Sequence, residues 1–303
     1  MSADAIVQPL SPALVAGTSL KNCRMLRLDL LNAPASGNKF YKLQHYLTAL
    51  EPGQTLVSFG GAWSNHIHAL AAVGHARGFP TVGIIRGDAN APLSATLQDA
   101  KRWGMQLEFV SRGDYRRRHD PVWLAAWQQR LGHCLMVPEG GAGLDGAKGC
   151  GAIADLIMEH YAAAELVGLA AGTGCTLAGL AAALPADKQV LGVVVLKGAG
   201  EQLRSDIGGW IAGQGGVGCH WHLEEDYHGG GYARCDPKLA EFIEEFEQVQ
   251  GIPLEPVYTG KLMYALYQMI ANGRLNPATR VLALHTGGLQ GRRGFPQLGA
   301  APE

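Results

Sequence analysis

The chain has 303 residues, of which 47% are apolar and only 17% charged, and its formal net charge is −1. That length exceeds what one hydrophobic core usually serves, and the low charged fraction points to extensive burial or an oligomer interface, which excludes a disordered chain. A near-neutral balance leaves no field to draw the protein to nucleic acid or an anionic membrane, and with neither a long apolar run nor a cleavable leader pattern a cytoplasmic location is expected.

Short apolar runs alternate with longer alanine-rich stretches of helical period, the pattern of a parallel sheet flanked by helices, and predict an α/β chain. A helix is expected over 40–50, a strand over 54–59, a helix over 65–77, a strand over 81–86 and a helix over 94–103. Strands at 106–110 and 134–137 bracket a helix at 121–131, and a helix follows at 146–161. The pattern then repeats, with strands at 166–170, 189–196 and 281–284 and helices at 177–183, 238–250 and 261–272. The run Arg116-Arg117-Arg118-His119 reads as a solvated helix start. The glycine cluster between Gly140 and Gly151 is the best candidate for a domain boundary. Six cysteines, at 23, 134, 150, 175, 219 and 235, lack the spacing of a zinc ribbon or a disulfide scaffold and read as reduced thiols.

Three segments can carry chemistry. Gly172-Thr173-Gly174-Cys175-Thr176 lies between a strand and an alanine-rich helix, so backbone N–H groups and two hydroxyls meet the positive end of a helix and form a phosphate cradle; the alternative is a tight turn that needs glycine. The lysine of a P-loop is missing there. Lys39, after Ser36-Gly37-Asn38, sits at a helix start, where dipole charge lowers an amine pKa and suits carbonyl condensation, although a lysine beside a turn is also ordinary surface. Gly60-Gly61-Ala62-Trp63-Ser64-Asn65-His66 follows a strand and opens a helix, where ligands gather in parallel sheets and where Ser64 or Asn65 can equally serve as a helix cap.

Of two G-x-G-x-x-G matches, that at 141–146 follows a strand and precedes a helix, but Pro138 and Glu139 intervene and Glu165 stands before the next strand instead of after it, where a ribose partner belongs; that at 213–218 lacks a convincing upstream strand. Cys219, His220, His222, His228 and Cys235 fit no zinc spacing and fall in a glycine-rich loop.

Taken together, SGNKFYKL (36–43), GGAWSNH (60–66), VPEGG (137–141), AGTGCTLAGL (171–180) and the pair EPVYTGKLM (255–263) with HTGG (285–288) resemble, in family order, the fold-type II pyridoxal-phosphate enzymes of the 1-aminocyclopropane-1-carboxylate deaminase and D-cysteine desulfhydrase family. The resemblance spans nearly the whole chain. It implies two three-layer parallel-sheet domains of the tryptophan synthase β-like kind with the cofactor in the cleft: residues 1–45 and 138–303 form the larger, cofactor-binding domain and 46–137 a smaller inserted α/β domain. It implies pyridoxal 5'-phosphate held by Lys39 as a Schiff base, with Asn65 on its phenolic oxygen, Gly172, Thr173, Gly174, Cys175 and Thr176 on its phosphate, and Thr286 also at the cofactor. Ser64 and Tyr258 match catalytic positions, and Trp63, Ser64, His66, Tyr258 and Thr259 match positions at the substrate. A homodimer acting on a small amino acid is expected by the same analogy.

Within that family the deaminase branch carries Glu at the position of Thr259, Leu at that of Thr286 and Gln at that of His66, so this chain looks like the desulfhydrase branch. The expected reaction is α,β-elimination from D-cysteine, giving pyruvate, ammonia and sulfide, with Lys39 or Tyr258 as base. Deamination of 1-aminocyclopropane-1-carboxylate to 2-oxobutyrate is the enzymatic alternative, and a pyridoxal-phosphate-binding protein without efficient turnover is the alternative of another class. Trp63 stands where the family usually has Gln, Tyr41 and His68 where it has Arg, and Ala142-Gly143 where it has Ser-Asn, which alters the volume and polarity of the pocket.

Overall fold

Parallel strands covered on both faces need apolar side chains at successive positions, and the runs LVGLAA (166–171), QVLGVV (189–194) and VLALH (281–285) meet that need. In the computed structural model, which describes residues 6–216 and 218–299, they occupy the middle of a six-stranded sheet. Its order is β1 (Val7–Pro9), β2 (Cys23–Arg27), β10 (Val281–His285), β7 (Leu166–Ala171), β8 (Gln189–Val194) and β9 (His220–Glu224), with β1 alone antiparallel to its neighbour. A second sheet of four parallel strands runs β5 (Gln106–Val110), β4 (Thr81–Arg86), β3 (Thr55–Gly61), β6 (Cys134–Val137).

Alternate side chains enter separate cores. Leu26, Val167, Val190 and Leu282 pack on one face of the larger sheet, and Met25, Leu166, Leu191 and Ala283 on the other. Leu56 and Val57 part in the same way in the smaller sheet. Each sheet is therefore the middle of three layers, the α/β arrangement expected from the sequence.

Ten helices among the described residues supply the outer layers: α1 (Asn38–Thr48), α2 (Asn65–Arg77), α3 (Ala95–Arg102), α4 (Arg112–Tyr115), α5 (Pro121–Leu131), α6 (Leu144–Tyr161), α7 (Cys175–Ala183), α8 (Gly200–Ala212), α9 (Pro237–Gln250) and α10 (Thr259–Ala271). Side-chain caps from Ser64, Ser94, Ser111, Asp120 and Asp236 start five of them. None is long and apolar enough to cross a membrane.

Several elements escape the periodicity. Strands β1 and β2 and helix α8, with its adjacent Gly208 and Gly209, carry no clear pattern, and His220 and His222 lie in the half-buried edge strand β9 instead of a loop. Arg116 to His119 does not start a helix; it forms the turn after α4, and α5 begins behind the Asp120 cap. Of the glycine match at 213–218, Val217 lies outside the described residues, as do 1–5 and 300–303.

Two glycines set the distance between α1, α6 and α7. A Cβ at Gly149 of α6 would run into the carbonyl oxygen of Tyr41 in α1, and one at Gly179 of α7 into that of Ala147 in α6. Backbones thus meet where side chains would normally intervene, and the first turns of α1 and α7 lie side by side. The Asn38 amide donates to the Thr176 hydroxyl across the gap at 2.9 Å.

Gly149→Ala and Gly179→Ala are therefore expected to destabilise the protein by about 1–3 kcal/mol through overpacking. Gly209→Ala, in α8 with nothing within 4 Å of the added Cβ, is expected to stabilise it by about 0.5–1 kcal/mol through helix propensity. Calorimetric melting of the three variants checks both signs; equal shifts would mean that the glycines do not set the helix spacing.

Candidate active site

The carboxyl ends of β3, β4, β6, β7 and β10 open onto one cavity of about 820 Å³ between the two sheets. Eleven of the thirteen site residues expected from the sequence line it: Lys39, Trp63, Ser64, Asn65, His66, Gly172, Thr173, Gly174, Thr176, Tyr258 and Thr286. Cys175 and Thr259 do not.

Lys39 enters from the first turn of α1. That turn starts at Gly37, whose φ of 82° and contact with the Thr286 carbonyl leave no room for a Cβ. The Lys39 ammonium donates to Asn38 Oδ1 at 2.9 Å and lies 5.7 Å from the centre of the Tyr258 ring. Enclosure, assisted by the charge of Lys42, lowers its pKa from 10.5 to about 7. Burial, more than the helix dipole, is the cause.

Lys42, one turn further along the same face of α1, was not singled out from the sequence. Its side chain is buried and its ammonium donates to Thr173 Oγ1 at 3.1 Å and to the Gly140 carbonyl at 3.4 Å. It stands at the turn from β7 into α7, where Gly174 (φ 76°) caps the helix without a side chain. N–H groups in the first turn of α7 have no helical carbonyl to receive them. A cation, the Thr173 and Thr176 hydroxyls and a helix N-terminus thus converge on one anion site. The Cys175 thiol points away, toward the Gly141 and Gly143 carbonyls at 3.6 Å.

On the facing sheet Ser64 caps α2 by accepting from Ile67 N–H and also lines the cavity. Asn65 Oδ1 accepts from Gln290, which fixes the amide and leaves Nδ2 beside Gly288. His66 Nε2 lies 2.8 Å from Ser58 Oγ, whose own proton goes to the Val137 carbonyl at 2.7 Å, so Nε2 is the protonated nitrogen. Nδ1 is a buried acceptor without a protein partner. Burial and the two nearby lysines push the pKa of His66 down to about 3, so the ring is neutral. Trp63, 40% exposed, leans against Gly294 at the rim.

Tyr258 precedes α10, and its ring packs on Gly172. Its hydroxyl lies 3.4 Å from that of Tyr232, on a glycine-rich loop that offers no sequence signal. Burial and the neighbouring Tyr232 hold the Tyr258 phenol well above its usual pKa, so it keeps its proton near neutrality. Glu255, within a recognised motif yet not singled out, reaches the cavity wall and accepts from the N–H groups of Val257, Tyr258 and Thr259 at 2.8, 2.7 and 2.6 Å. Burial raises its pKa in spite of those donors. Thr259 is 1% exposed and turns its hydroxyl to the Glu255 backbone, which keeps it off the cavity wall.

These groups fit pyridoxal 5'-phosphate. A phosphate suits the cationic α7 cradle, in which a Cβ at Gly140 would come 3.1 Å from Thr173, and an aldehyde suits a primary amine that is half unprotonated near pH 7.

The sequence matches the family described as pyridoxal-phosphate dependent enzyme over residues 8–287. It is 30% identical, over 89% of this chain and 89% of the relative, to a Thermotoga maritima protein provisionally named 1-aminocyclopropane-1-carboxylate deaminase. It is also 30% identical to D-cysteine desulfhydrase of Salmonella choleraesuis, over 86% of this chain and 85% of the relative. A crystal structure described as an ACC deaminase homologue is similar with a TM-score of 0.77 at 26% identity, covering 91% of this chain and 86% of that one.

In protein freed of cofactor, acylation of Lys39 followed against pH is expected to show a midpoint near the lowered value of about 7, whereas exposed lysines titrate near 10.5. Because the folded state binds this proton more weakly than the unfolded one, the site by itself should make stability rise with pH between about 7 and 10.5, with the full penalty present below that window. A Lys39 midpoint near 10 would refute the burial argument.

Proposed function

The chain belongs to the pyridoxal-phosphate-dependent enzymes, of the type that includes 1-aminocyclopropane-1-carboxylate deaminases and D-cysteine desulfhydrases, and on that premise we propose that it catalyses α,β-elimination from a small amino acid, in the manner of a D-cysteine desulfhydrase. The observation that carries this reading is the Lys39 amine, depressed to about pKa 7 and set one helical turn from the Lys42 ammonium at the α7 cradle.

When bound, pyridoxal 5'-phosphate supplies an electron sink that loosens the α-hydrogen of an attached amino acid. Lys42, Thr173, Thr176 and the α7 N-terminus would hold its phosphate, and Asn65, oriented by Gln290, would donate to its phenolic oxygen. Ser64 and the start of α2 bind the substrate carboxylate. The Lys39 Nζ accepts the α-proton, since it alone of the two candidate bases is substantially unprotonated near neutrality. Tyr258 keeps its phenolic proton and donates it to the departing sulfur. Cysteine and one water then leave as pyruvate, ammonia and hydrogen sulfide. A second reading, opening of 1-aminocyclopropane-1-carboxylate to 2-oxobutyrate and ammonia, is favoured by Glu255, an acidic group in the cavity wall of the kind that strengthens an electron sink.

The purified enzyme is expected to carry the visible absorbance of a lysine-linked cofactor and to form pyruvate and sulfide from D-cysteine. Lys39→Ala should lose both, and Tyr258→Phe should lower kcat by about 10²–10⁴-fold. Faster release of 2-oxobutyrate from 1-aminocyclopropane-1-carboxylate would establish the second reading instead, and no keto acid from any of D-cysteine, L-cysteine, D-serine or that compound would sink both.

A further inference from the structure

Beside the main cavity lies a second space of about 430 Å³ lined by Arg86, Arg112, Tyr115, Arg116, Arg118 and Glu139. Arg86, Arg112, Arg118 and Glu139 line the main cavity as well, so the two adjoin across these side chains. Arg86 ends β4 opposite Gly61 at the end of β3, and its guanidinium lies within 3.4 Å of where a Gly61 Cβ would stand, so the absence of a side chain there gives it access to the cavity.

Four guanidinium groups face one carboxylate in this space, and that carboxylate is already engaged. Glu139 accepts from the Tyr115 hydroxyl and from Arg118 Nε, each at 2.6 Å. The buried Tyr115 ring in turn supports Arg118 at 5.1 Å and Arg86 at 5.5 Å from its centre. Among the described residues Arg86, Arg112 and Arg116 form no ion pair, whereas most other arginines of the chain do. An ordinary amino acid presents one carboxylate, for which Ser64 and the start of α2 suffice. The arginines on the other wall are surplus to that need, and planar guanidinium groups are suited to a second carboxylate, sulfonate or phosphate.

We infer that the preferred substrate is an amino acid whose side chain bears a second anionic group, received by Arg86 and Arg112 with Arg118 held in place by Glu139. The inference rests on the reading of the main cavity as an amino-acid site and narrows it. D-cysteine, with a single fixed negative charge, is then an assay compound and a poor mimic of the preferred one.

Titration of the holoenzyme followed by change in cofactor absorbance tests this, with aspartate, cysteate and O-phosphoserine set against alanine and serine in both enantiomers. At least one anionic member is expected to act at about tenfold lower concentration than its neutral counterpart, and that ratio should shrink at high salt. In the double variant Arg86→Gln, Arg112→Gln the ratio should fall towards one, and in Arg86→Lys, which keeps the charge and loses the fork, it should fall only in part. Both arginines are exposed, so neither change threatens the fold. Equal response to anionic and neutral members, or a preference that survives the double variant, would overturn this inference and leave the elimination reading standing. No response to any amino acid would overturn both.

Discussion

The approach of α1 and α7 to α6 at backbone distance is the constraint on which the site depends. Lys39 and Lys42 are carried by α1, and the anion cradle is the N-terminus of α7; neither helix touches the other except through short side chains such as Asn38 and Thr176. Their mutual position is set by the helix between them, through Gly149 and Gly179. A single methyl group at either glycine would wedge the amine away from the cradle. The contact is made of small residues for a geometric reason, since any longer side chain would lengthen the gap that a cofactor's two ends must span.

That closeness has an electrostatic cost. Enclosure disfavours the charge of Lys39, and the Lys42 ammonium one turn away lowers its pKa further. Lys42 keeps a hydroxyl and a carbonyl as acceptors. His66 is kept neutral by burial, reinforced by the same two lysines, and cannot relieve them. A bound dianion at the α7 cradle would offset the charge of Lys42, so affinity for phosphate and the reactivity of Lys39 arise from one arrangement of charge. Glu255 is the counterpart across the cavity: an acid kept from water, bound by three N–H groups at the start of α10, and raised in pKa all the same.

What the sequence disclosed follows from what is local. The α7 cradle, the Lys39 turn and the Ser64 cap are each decided within a few residues by glycine, a hydroxyl or a helix start, and each stands where the motif placed it. Lys42 was readable in principle, because three residues of helix put it on the face of Lys39. Glu255 was readable in the same way, since it accepts from N–H groups only two to four residues ahead, whereas Tyr232 was not, since it lies on a glycine-rich loop whose course no local pattern decides. Non-local packing explains Cys175, whose thiol meets the carbonyls of the distant Gly141 and Gly143, and a local bond to the Glu255 backbone explains Thr259. Both sit in the right motif, but each side chain turns to a neighbouring backbone group and leaves the cavity. The strand β9 escapes for a reason of its own: an edge strand needs only one covered neighbour, so an exposed His220 and half-buried Trp221 and His222 satisfy it without the apolar run that marks a central strand.

The two sheets divide the chemistry unequally. Groups that suit the cofactor come chiefly from α1 and from the ends of β7 and β10, whereas Trp63, Ser64 and Arg86 come from the ends of β3 and β4 in the smaller sheet. The cofactor's side is constrained by backbone contacts that tolerate no added atom. The smaller sheet presents its side chains from strand ends and from the short α4 turn, where replacement alters charge and volume without disturbing a helix interface. Substrate preference can therefore change on one wall of the cavity while the amine and the phosphate cradle stay fixed on the other. An arginine at the end of β4 is a change of that kind: it alters what the cavity attracts, and nothing in the packing of the larger sheet depends on it.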